Sequence, residues 1–101
     1  MKPFDCIAAM KALGEENRLR IMRRLLIGPT SVNDLAERVA ISAYNVSKHL
    51  RILREAGLVT QQKMAQLRLY QVAPEFAAHL RENHQVLNLG CCQFDFSKLN
   101  D

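Results

Sequence analysis

Between Ala43 and Ala56 two stripes of different chemistry run along one stretch of chain. Val46, Leu50 and Leu53 recur at the spacing of a single buried helical face. Tyr44, Ser47, Lys48 and Arg51 recur at the same spacing on another face. The first stripe requires a helix packed on a core. The second is polar and cationic, and it suits base edges and phosphates in a major groove. Gly57 follows, where a left-handed residue can close the helix.

The rest of the chain builds around that helix. Pro3 to Leu13 reads as a first helix, with Pro3 in its first turn and Gly14 ending it. Asn17 can cap a second helix running to Ile27, stopped by Gly28-Pro29. Thr30 or Ser31 caps a short third helix carrying Leu35 and Val39. A turn at Ala40–Ser42 leads into the fourth. Two strands follow, Leu58–Lys63 and Leu67–Val72, joined through Met64-Ala65-Gln66. Pro74 opens a fifth helix expected to reach about Leu89, its stripe interrupted at Asn83. In the tail from Cys91, Phe94, Phe96 and Leu99 are anchors for an extended segment lying against the body.

Four helices, a hairpin and a final helix make an α+β, mostly helical fold: a winged helix-turn-helix with five helices and a two-stranded wing. A length of 101 residues suits one small domain, read as 1–89, with a cysteine-bearing tail at 90–101. Small size makes self-association an added source of stability.

Charge is unevenly placed. Residues 17–72 carry ten Lys or Arg against three Asp or Glu, while the two ends carry four against seven. A basic middle with acidic ends favours a polyanion on the middle. No constellation for nucleophilic, acid–base or phosphate-loop chemistry occurs, which excludes the common enzyme classes. No apolar run approaches the ~18–20 residues that span a bilayer, so no membrane role is expected. The expected compartment is the cytoplasm, with Cys6, Cys91 and Cys92 reduced.

The chain resembles the ArsR/SmtB family of small dimeric bacterial repressors. The matching segments are Leu13–Ile21, Asp34–Glu37, Ile41–Leu50 and Leu53–Val59, with Tyr70 where the second wing strand usually holds an aromatic. The resemblance implies a homodimer paired through the first and fifth helices, a palindromic operator in double-stranded DNA, and repression relieved by an inducer. It puts the DNA-contacting slots on Ser42, Ala43, Tyr44, Asn45, Ser47, Lys48 and His49. Ala43 stands where Gln is frequent, and Tyr44 is bulkier than the usual occupant. Asn45 and His49 could equally serve as helix-packing polar groups. Arg51 on the same helix, and Lys63 and Arg68 on the wing, add charge for phosphates or guanine.

Arsenic sensors of that family often carry Cys-Val-Cys-Asp-Leu at the third helix. Here the run is Ser31-Val32-Asn33-Asp34-Leu35, so that thiolate site is absent. The zinc spacing of the fifth helix is not reproduced either, since His79 and His84 stand five apart. That leaves Cys91 and Cys92, with Cys6 as a third thiolate, as the expected site for trivalent arsenic or antimony, or another soft metal ion. Two other readings remain open. The same thiols could answer to oxidants or reactive sulfur, or they could simply pack, leaving a winged-helix module that binds protein and senses nothing.

Overall fold

The computed structural model describes residues 5–98. The first helix, α1, spans Cys6–Leu13, and the Asp5 carboxylate caps it by accepting from the N–H groups of Ile7 and Ala8. The expected start at Pro3 lies outside the described residues. Helix α2 spans Glu16–Leu25. Its cap is the Glu15 carboxylate, which accepts from the Arg18 N–H at 2.9 Å, and not the expected Asn17. It also stops two residues before the expected Ile27. The Leu26 and Ile27 N–H groups bond back to Met22 and Arg24, closing the last turn ahead of Gly28-Pro29.

Helix α3 (Val32–Val39) is capped by Ser31, and α4 (Ala43–Glu55) by Ser42, each hydroxyl accepting from a backbone N–H three residues on. Between them Ala40 adopts φ 58°, ψ 42°, the left-handed conformation that ends α3. Thr30–Ser31 also form a two-residue strand, β1, too short to leave a sequence signal. Strands β2 (Val59–Met64) and β3 (Leu67–Val72) pair antiparallel from Val59 opposite Val72 to Met64 opposite Leu67. β1 adds to the other edge of β3, giving the sheet order β1-β3-β2.

The end of the chain differs from expectation. Helix α5 covers only Pro74–Glu82. The Asn83 side chain donates to the His79 carbonyl at 2.7 Å, and His84 and Gln85 both take positive φ, so the helix cannot continue. Val86–Asn88 (β4) then pairs antiparallel with Gln93–Asp95 (β5), and Phe96–Lys98 make one 3-10 turn. The expected boundary between residues 89 and 90 thus falls inside a hairpin whose turn holds Gly90 at φ 91° and both tail cysteines. Leu99 lies outside the described residues.

One apolar core unites these pieces. Leu13, Ile21, Met22, Leu35, Val46, Leu50, Leu53, Leu58, Phe76, Leu80, Leu87 and Phe96 are all at most 1% exposed. Burying each such side chain contributes about 1.5–3 kcal/mol. The apolar stripe of α4 is therefore fixed against α1, α2 and α3, and its polar stripe has to face outward.

Candidate nucleic-acid interface

The second stripe of α4 is presented as a surface. Tyr44 is 72% exposed, and Asn45, Ser47, Lys48 and Arg51 are exposed with it. The Lys48 ammonium lies 5.1 Å from the Tyr44 ring centroid, so a cation rests on an aromatic face one turn away. Ser42 is exposed, but its hydroxyl oxygen accepts from the Asn45 N–H at 3.1 Å. It holds the helix start while its O–H and second lone pair stay open to a ligand. Ala43 is half-buried.

His49 is placed apart from these groups. Its side chain is 19% exposed, with Nδ1 at 3.3 Å from Arg18 Nη1 and 3.8 Å from Glu15 Oε2. It belongs to the contact between α4 and the start of α2. Burial raises the Glu15 carboxyl, but the Arg18 and Asn17 N–H groups and the charges of His49 and Arg18 outweigh it. The net position is below the usual carboxylate range. Arg18 also donates from Nε to the Ala12 carbonyl and from Nη2 to the Lys11 carbonyl, tying the end of α1 into the same cluster.

On the wing, Lys63 and Arg68 sit directly opposite each other and are both exposed. Together with Gln61 they line an open polar hollow. The Arg54 guanidinium donates to the Gln61 side-chain oxygen at 2.8 Å, joining the last turn of α4 to β2. Sequence reasoning did not single out Arg54 or Gln61. Their link spans two elements: Arg54 lies within the matching segment Leu53–Val59, but no local signal pairs it with Gln61.

The cysteines are arranged otherwise than expected. Cys6, at the start of α1, and Cys91, in the turn after β4, form a disulfide across 85 residues, with Cα atoms 6.2 Å apart. Cys92 is free and half-buried. The expected trio of thiolates is therefore not present as such: two of the three sulfurs are bonded to each other. Among the described residues no group of three or more His, Cys, Asp or Glu side chains is placed to hold a metal ion. Because α1 and the hairpin turn lie side by side, the two sulfurs are close enough to pair.

Residues 15–61 match the family described as bacterial regulatory protein, arsR family. The chain is 38% identical over 73 residues to the HTH-type transcriptional regulator Rv2034 of Mycobacterium tuberculosis, covering 72% of this chain and 68% of that one. It is 30% identical over 79 residues to the arsenical resistance operon repressor of Staphylococcus xylosus, covering 78% and 76%. It is similar in structure to the homodimeric winged helix-turn-helix DNA-binding domain of a Mycobacterium bovis regulator. That similarity has a TM-score of 0.70 at 28% identity, over 78% of this chain and 73% of the other.

The chain belongs to the ArsR family. It is a winged helix-turn-helix transcriptional regulator and not an enzyme. In this ArsR-family chain α3 and α4 form the helix-turn-helix and β2–β3 the wing. Helix α5 holds His79, whose Nδ1 lies 3.4 Å from the Asn83 side-chain nitrogen, while His84 falls beyond the helix end. No helix among the described residues is long and apolar enough to cross a membrane.

Proposed function

We propose that this regulator is a cytoplasmic repressor. It binds a palindromic operator as a homodimer paired through α1 and α5, and the Cys6–Cys91 pair sets its affinity. Tyr44, Asn45, Ser47, Lys48 and Arg51 read the major groove in each half-site, with Ser42 and Ala43 at the helix entry. The observation that carries the control is the bond between Cys6 on α1 and Cys91 in the hairpin. That hairpin continues α5 and docks on it through Phe96 against Phe76, their ring centroids 6.1 Å apart. A bond between these two elements links both dimer helices, so its formation favours one spacing of the recognition helices over another.

Oxidation takes two protons and two electrons from the two thiols. A peroxide accepts them as its O–O bond breaks, and it leaves as two waters or, from an alkyl peroxide, as an alcohol and a water. The reduced dimer binds the operator, and the disulfide form releases it.

A second reading is favoured by Cys92, a free thiol beside the pair. Once reduced, Cys6, Cys91 and Cys92 offer three soft ligands to arsenite or antimonite, or two to another soft ion. The similarity to an arsenical resistance repressor supports this reading.

The test is operator binding by fluorescence anisotropy, using a duplex selected from a random library by the reduced protein. Peroxide should weaken binding by about tenfold or more, roughly 1.4 kcal/mol, and a dithiol should restore it. Cys6→Ser should abolish the response. Equal affinity in both thiol states removes redox control. Release by arsenite in reductant, lost in Cys92→Ser, assigns the thiols to the metalloid instead.

A further inference from the structure

We propose that the hollow between the end of α2 and the outer face of α3 binds a small zwitterion, a molecule with one carboxylate and one ammonium such as a free amino acid. The inference does not rest on the thiol reading.

The hollow has a volume of about 550 Å³ and is lined by Arg24, Thr30, Asp34, Glu37 and Arg38. That volume lies within the range of small-ligand clefts, about 300–1,000 Å³. Arg24 is half-buried at the end of α2, while Asp34, Glu37 and Arg38 are exposed on α3. Two positive and two negative groups therefore face one space. Asp34 and Arg38 stand four residues apart, the spacing at which helical ion pairs form. Yet among the described residues none of these four side chains makes an ion pair. The helix ends sustain the open charges. Asp34 lies in the first turn of α3, Arg38 in its last turn and Arg24 in the last turn of α2, each where the helix dipole favours its sign.

The charge set selects the ligand class. Two carboxylates on the space disfavour a phosphate or other plain anion, and two guanidinium groups disfavour a plain cation. A zwitterion satisfies both sets at once. Its carboxylate fits the planar forks of Arg24 and Arg38, which donate in parallel pairs. Its ammonium brings three donors to Asp34 and Glu37. The Thr30 hydroxyl donates to the Gly28 carbonyl at 2.9 Å, which leaves its oxygen as a further acceptor. A ligand held in this way spans α2, β1 and α3, and α3 is the first helix of the helix-turn-helix.

The test is isothermal titration of the reduced full chain, with melting temperature measured alongside. The zwitterions are glycine, β-alanine and γ-aminobutyrate, which differ in the distance between their charges. Acetate, butyrate and ethylamine are the singly charged controls. At least one zwitterion should bind at millimolar concentration and raise the melting temperature, with the controls about tenfold weaker or more. Arg24→Gln and Asp34→Asn should each weaken that zwitterion by about tenfold or more. Glu37→Gln, on the exposed side of α3, takes their place if either change lowers the unliganded melting temperature. Cys6→Ser should bind the zwitterion as the wild type does, which separates this site from thiol control.

No heat and no melting shift with any of the three zwitterions overturns the proposal. So does butyrate binding as tightly as γ-aminobutyrate, which makes the hollow a plain anion site. So does an Arg24→Gln/Arg38→Gln variant whose operator binding loses about two from its salt slope, because that assigns both arginines to the DNA backbone.

Discussion

The ammonium of Lys48 lies over the ring of Tyr44, 5.1 Å from its centroid, on the exposed face of α4. The arrangement holds a long, flexible cation close to the helix, where a phosphate or guanine edge would meet it. An exposed contact of this kind contributes about 0.5–1 kcal/mol. Lys48→Gln should weaken operator binding across all sequences and lower the salt slope by about one, with little change in melting temperature. Tyr44→Ala should alter which bases are preferred at one position of each half-site. Slopes measured between low and high salt decide it: an unchanged slope in Lys48→Gln takes Lys48 off the phosphates.

Glu15 both caps α2 and faces His49, and the two roles give it a pH signature. Its carboxyl lies below the usual range in the folded protein: burial raises it, and the N–H bonds and nearby positive charge outweigh that. A depressed folded value contributes stability that is complete above the unfolded glutamate range, about pH 4.3. That contribution is lost as pH falls through the lower folded value. Glu15→Gln should therefore be less stable than wild type near neutrality, with the gap constant down to the unfolded range and shrinking below it. Urea melts across that range provide the check, and a gap that grows on acidification contradicts the assignment.

These residues also mark what the sequence made legible. The α4 stripe, Gly57 and the second strand-forming run are local signals and appear at their expected places, while the first strand, Val59–Met64, runs one residue later than expected and takes Met64 out of the connection. Glu15 was missed because glutamate is an uncommon cap, and Asn17 offered a more ordinary one. The fifth helix was expected to run on past Asn83 to about Leu89, but Leu87 is buried from strand β4 and not from a helix. The break was signalled by Asn83 but fixed only by the left-handed His84 and Gln85. The pairing of Cys6 with Cys91 depends on tertiary contact over 85 residues, which spacing alone cannot give. His49 faces inward because Arg18 and Glu15 await it, and neither is its neighbour in sequence.

Phe96 anchors the terminal hairpin edge-on to Phe76, at an interplanar angle of 86° and only 1% exposed. Phe96→Ala should cost about 3–5 kcal/mol, the usual range for emptying a buried aromatic site. Since the hairpin carries Cys91, the same change should slow formation of the Cys6–Cys91 bond in the reduced protein exposed to peroxide. Thiol alkylation followed by mass measurement reads that rate directly. An unaltered rate would mean that the hairpin finds α1 without its aromatic anchor.

Ala40 occupies the turn between α3 and α4, and it does so at φ 58°. Its N–H and that of Ile41 both bond to the Ala36 carbonyl, so the left-handed residue is what closes α3 and aims α4. An alanine in that region costs about 1–2 kcal/mol. Glycine removes the cost but loses about 0.4–1 kcal/mol through the freer unfolded chain. Ala40→Gly should thus stabilise the protein by about 0.5–1 kcal/mol, a rise of a few degrees in melting temperature, with operator affinity unchanged. Ala40→Val should do the opposite, because a β-branched side chain is disfavoured at positive φ. Paired thermal melts under reducing conditions test both. If Ala40→Gly melts no higher than wild type, the turn carries no relievable strain.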